Sequence, residues 1–141
     1  MGRNIATTNT GTIGHSTSQD VFGTGNYQVF YSSGTFTTPT GCNYIRVRVW
    51  GAGGGGASNT DTATGGGGGG FAQKVIVNPT TSYSVTVGAA GENSTTSTNG
   101  SAGGTSSFGS VCSATGGAGG IAGNTAATGG SGSGGDINYT G

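Results

Sequence analysis

The chain has no leucine and only two prolines, two cysteines, one tryptophan and one histidine. Leucine is among the stronger helix formers, and glycine, with 35 of the 141 residues, is among the weakest. Helix is therefore disfavoured almost everywhere. Charge is scarce as well. Four Lys and Arg balance four Asp and Glu, which argues against an electrostatic grip on nucleic acid. No apolar run approaches membrane-spanning length, so no membrane insertion is expected. The opening MGRNIATTNT lacks the apolar stretch of a secretory leader. Ala6 stands where a myristoylation motif wants Ser or Thr.

These shortages also remove chemistry. Cys42 and Cys112 have no zinc-ligand spacing, and the lone His15, read as solvated, cannot complete a set. No metal or cofactor is expected. Two buried free thiols and a disulfide closing a long loop both fit the cysteines. Asp20, Asp61, Glu92 and Asp136 are far apart in sequence and show no partner there. No catalytic set assembles, and the chain is read as not an enzyme. Gly51, Gly53 and Gly56 spell G-x-G-x-x-G directly after a strand-like run. A dinucleotide turn needs a helix next, whose N-terminus holds the pyrophosphate. ASNTDTATGGGGGG follows instead. Three N-glycosylation sequons, at Asn93, Asn99 and Asn138, are what chance produces in a chain so rich in Ser and Thr.

What remains is glycine, threonine, serine and a few alternating apolar runs. Val and Ile favour strands. In Tyr44–Trp50 the period is two: Ile45, Val47 and Val49 share one face, and Tyr44, Arg46, Arg48 and Trp50 the other. Phe71–Val77 and Tyr83–Val87 alternate in the same way, with Asn78-Pro79 as the turn between them. Further strands are expected at 27–31, at 35–37, over 107–114 and at Ile137–Tyr139. Residues 1–19 are polar and without periodicity, an extended arm. The fold class is all-β, a small antiparallel β-sandwich or meander with glycine-rich excursions. Residues 1–31 form an arm and first strand, a segment for attachment or oligomerisation, and 32–141 a glycine-rich β domain. A core this small is marginal for a lone monomer, so association with other copies is expected. Arg46, Arg48 and Trp50 read either as a solvated cation–π face or as a subunit-contact or glycan-stacking face.

The glycine is organised. Three times a glycine run, a polar apex and a second glycine run follow one another, with apices at 57–64, 92–99 and 121–128. Flexible tethers are one reading. Packed polyglycine II is the other. It is an extended left-handed helix of three residues per turn, whose backbone groups must find partners on neighbouring helices.

SSGTFTTPTGCNYIRVRVWGAGGGG, GGGGGGFAQKVIVNPTTSYSVTVGAAG, GGTSSFGSVCSATGGAGG and GGSGSGGDINYTG, in that order, resemble the glycine-rich domain of phage tail-fibre and tail-tip proteins. The resemblance covers about residues 32–141. It implies a β-sandwich base with projecting glycine-rich segments, a place in the virion, and partners among other tail proteins. It further implies apical loops that contact a host glycan or outer-membrane protein. On this reading Asn59, Thr60, Asp61, Thr62, Glu92, Asn93, Asn99, Asn124 and Thr125 are candidate receptor contacts. The other expectation is a self-assembling subunit of an extracellular filament with no specific ligand.

Overall fold

A computed structural model describes residues 27–141, together with the backbone of residues 4–8 and 11–15. It divides into two units, 1–34 and 35–141.

In the first unit, β1 (Asn4–Thr8) pairs antiparallel with β2 (Gly11–His15), from Asn4 opposite His15 to Thr8 opposite Gly11. The extended arm expected here is a hairpin. Threonine and isoleucine suit strands even without strict alternation, and two residues separate the strands in sequence, the commonest hairpin spacing. The expected strand at 27–31 does not form, although Tyr27, Val29 and Tyr31 alternate. Alternation describes a face but supplies no partner, and among the described residues no ladder forms there. His15's side chain and Asp20 lie outside the described residues.

The second unit is all-β, with no helix among its described residues. Its strands are β3 (Gly34–Thr37), β4 (Tyr44–Trp50), β5 (Phe71–Val77), β6 (Ser82–Thr86), β7 (Ser106–Phe108), β8 (Cys112–Ala114), β9 (Gly132–Ser133) and β10 (Ile137–Tyr139). One sheet has the order β10-β5-β4 and the other β3-β6-β7-β8-β9. β4 packs on β7 and β8, and β5 packs on β8, which makes a small sandwich. Val49, Ala72, Phe108, Cys112 and Ala114 are buried between the sheets, with Phe36, Ile45, Val47, Ile76, Tyr83 and Val85 packed around them. Phe108 is the centre, 4.6 Å from Tyr83 and 5.6 Å from Phe36 between ring centroids.

Two details depart from the sequence reading. The single strand expected over 107–114 is a hairpin, because Gly109 takes a φ of +53°, which no extended strand contains. Both cysteines are free, Cys112 buried and Cys42 half-buried with its thiol donating to the Tyr44 carbonyl. Burial pushes the Cys112 thiol pKa up.

The three glycine excursions are elongated hairpin loops. They join β4 to β5, β6 to β7 and β8 to β9, each pair neighbours in one sheet. All three therefore leave as one ascending and one descending run. Their hydrogen bonds recur every third residue. Gly51, Gly54 and Ala57 donate to the carbonyls of Gly70, Gly67 and Thr64. Ala52, Gly55 and Ser58 donate to Gly104, Ser101 and Thr98. Thr64, Gly67 and Gly70 donate to Ile121, Ala118 and Thr115. A step of three is the polyglycine II repeat. The neighbour relations place the runs in two rows of three: 88–94, 51–58 and 64–70, then 98–104, 115–121 and 128–131. The tether reading is thereby set aside.

Candidate functional site

The far end of this bundle carries the three apices, which are tied to one another. Ser58 N–H donates to the Thr98 carbonyl at 3.1 Å. Thr64 Oγ1 donates to the carbonyls of Ile121 and Thr125, both at 3.2 Å, and accepts from Ile121 N–H at 2.9 Å. Ala122 N–H donates to Asn99 Oδ1 at 2.8 Å. Segments far apart in sequence thus form one end surface. Ser97, in the second apex, has a φ of +25°, an uncommon conformation for a residue with a Cβ.

All nine candidate contact residues lie on this end and are exposed. They do not have equal freedom. Asn93 Oδ1 accepts from Gly56 N–H at 2.7 Å and Asn99 Oδ1 from Ala122 N–H. These two asparagines satisfy lattice donors that no glycine carbonyl reaches. The side chains of Asn59, Thr60, Asp61, Thr62, Glu92, Asn124 and Thr125 make no such bond to the lattice, and Thr60 Oγ1 donates to Asn59 Oδ1 at 3.4 Å. The end therefore offers amides, hydroxyls and the carboxylates of Asp61 and Glu92. The described cations, Arg46, Arg48 and Lys74, all sit on strands of the sandwich.

Three further caps were not singled out in the sequence. Ser101 Oγ accepts from Glu92 N–H at 2.7 Å, Ser106 Oγ from Gly88 N–H at 3.0 Å, and Thr115 Oγ1 from Ser131 N–H at 2.7 Å. A hydroxyl or amide beside a glycine run is the signal that marks them. The glycines of the G-x-G-x-x-G spelling are committed too. Gly51 N–H donates to the Gly70 carbonyl, the Gly53 carbonyl accepts from Gly91 N–H, and Gly56 N–H donates to Asn93 Oδ1, so the N–H groups of Gly51 and Gly56 are not free to cradle a phosphate.

A family model described as "Glycine-rich domain" matches residues 30–141. The chain belongs to that family. No curated protein matches the chain.

The glycine-rich domain has a second conspicuous surface, the outer face of the β10-β5-β4 sheet. Trp50 and Tyr139 both pair in register with Phe71, and the rings form a row, 5.1 Å and 6.1 Å apart. Arg48 Nε donates to Gln73 Oε1 at 2.9 Å in the next row. Arg46, Arg48 and Trp50 thus lie together on one exposed face.

Asp136, which shows no partner in sequence, has two here. Its carboxylate accepts from Lys74 Nζ at 2.7 Å and from Val75 N–H at 2.9 Å, pinning β10 to β5. The Lys74 hydrogen bond, followed by that of Val75, holds its pKa below the ordinary 3.8. A lowered folded pKa stabilises above the unfolded value and is lost as pH falls through the folded one. Asp136→Asn should lower Tm modestly at pH 7, and the gap from the parent should close below pH 3.8, checked by calorimetry across pH. Among the described residues no group of three His, Cys, Asp or Glu side chains could hold a metal ion, and no helix is long and apolar enough to cross a membrane.

Proposed function

We propose that this chain is a non-catalytic structural and binding module of a phage tail fibre or tail tip, displayed on the virion, whose apices recognise a host glycan or outer-membrane protein. One observation carries the reading. Three apices separate in sequence are hydrogen-bonded into one polar surface, raised on a lattice that begins at the sandwich strands. Such a lattice has already lost its backbone entropy, so a ligand does not have to order the loops on binding. Asn, Thr and carboxylate groups on a preformed surface suit sugar hydroxyls and polar protein loops. The order of the four glycine-rich sequence blocks supplies the resemblance to tail-tip domains, and residues 1–31 would serve attachment.

The test exchanges 57–64, 92–99 and 121–128 together for the apices of a relative that adsorbs to a different host. Adsorption should follow the apices, with the parental host lost by at least tenfold. Unchanged adsorption to the parental host after all three exchanges ends the recognition reading and leaves that of a filament subunit with no specific ligand.

A further inference from the structure

Every large hydrophobic residue exposed in the second unit lies on one face. Tyr44, Trp50, Val75, Val77, Ile137 and Tyr139 are all on the outside of the β10-β5-β4 sheet, with Trp50 60% and Tyr139 64% exposed. A contiguous apolar patch of this kind on a soluble domain marks an interaction surface. Its composition, aromatics and arginine without Lys, Asp or Glu, is that of a protein interface core.

We propose that this face joins two copies of the chain about a twofold axis parallel to β5. β5 is central and β4 and β10 flank it. Such an axis lays each β4 over β10 of the other copy. Trp50 and Tyr139 share the level of Phe71, so Trp50 meets Tyr139 of the second copy and Phe71 meets Phe71. Arg48 and Ile137 share the level of Gln73, so the stem of Arg48 covers Ile137.

Charge selects this axis over the other possible one. A twofold across the strands would set Arg48 against Arg46 of the second copy inside a gap of about 10 Å between sheets. The axis along β5 puts the arginines on opposite edges, roughly 14 Å apart or more given strand spacings of about 4.8 Å, beyond a Debye length of about 8 Å. It also brings Arg46 to the level of Val75, whose N–H holds the Asp136 carboxylate at the opposite sheet edge. The sheet covers roughly 300 Å², from three strands of up to seven residues at about 3.3 Å each. That is below the roughly 800 Å² per partner of a standard interface. The dimer is therefore weak, below the size class of stable complexes, and a second module on the same fibre would raise its occupancy. This inference does not depend on what the apices bind.

Sedimentation velocity of the full chain from micromolar to millimolar concentration reads the association. Dimer should appear with concentration, and Trp50→Ser and Tyr139→Ser should each weaken it at least tenfold while the chain stays folded with only a small drop in Tm from the lost contact with Phe71, since both side chains are exposed. The axis is read by cross-linking in a Cys42→Ser background with a short bismaleimide. Arg48→Cys mixed with Ile137→Cys should link, and Arg48→Cys alone should not. Self-linking of Arg48→Cys, or a monomer at every concentration, overturns the proposal. The second outcome assigns the face to a different polypeptide.

Discussion

Gly117→Ala should fail to fold stably, while Gly65→Ala should fold and melt slightly higher. Both residues sit in glycine runs, and sequence does not separate them. Gly117 is buried, its N–H donates to the Ala52 carbonyl at 2.9 Å, and a Cβ there would overlap the Gly67 carbonyl. The atom in the way is backbone, held by its own hydrogen bond from Gly54 N–H, so relief requires moving a whole run. Overpacking a rigid interior costs about 1–3 kcal/mol and more where nothing can yield. A domain stable by about 5–15 kcal/mol, with a core this small, has little to spare. Gly65 is exposed, has nothing within 4 Å of its added Cβ, and keeps a φ any residue can adopt. There alanine removes freedom from the unfolded chain, a gain of about 0.4–1 kcal/mol. Calorimetry of the two variants beside the parent checks both signs. Equal effects would mean the runs are not packed.

Phe108→Ala should cost about 3–5 kcal/mol, the range for emptying a buried aromatic site. Phe108 is 6% exposed and carries the ring contacts of Phe36 and Tyr83. Few large side chains in the sandwich are buried, so no neighbour can collapse into the space without uncovering another. The glycine runs start on β4, β6 and β8 and return on β5, β7 and β9, so loss of the sandwich releases the ends of every run. Unfolding should therefore remain one transition, with near-UV ellipticity of Tyr83 and protection of glycine amides lost together. Retained amide protection at a temperature where the aromatic signal has gone would show that the bundle stands without its base.

The strands at 44–50 and 71–77 are legible in sequence because each alternates over seven residues with one face turned to the core. The hairpin at 106–114 is not, since its strands have three residues each and the turn rests on one positive φ at Gly109. The hairpin at 4–15 is missed for the opposite reason: pairing supplies what weak alternation does not. Of the candidate site, the three apices can be read as polar interruptions of glycine. That Asn93 and Asn99 cap the lattice cannot, because their donors, Gly56 and Ala122, lie in other excursions. Asp136 finds Lys74 only because β10 pairs with β5.

Sequence by itself determined the all-β class, the alternating strands, and the places where the chain leaves the sandwich as glycine. It also carried a trace of the packing rule. Gly88 and Gly91, or Gly100 and Gly103, recur at a spacing of three on runs with few neighbours, whereas the more enclosed run 115–121 keeps a side chain only at Thr115, Ala118 and Ile121. Only the tertiary structure decided that the runs are ordered. An α-helix is bonded within itself, so its propensity is written locally. A polyglycine II helix has no internal hydrogen bond, and each of its partners belongs to a segment elsewhere in the chain.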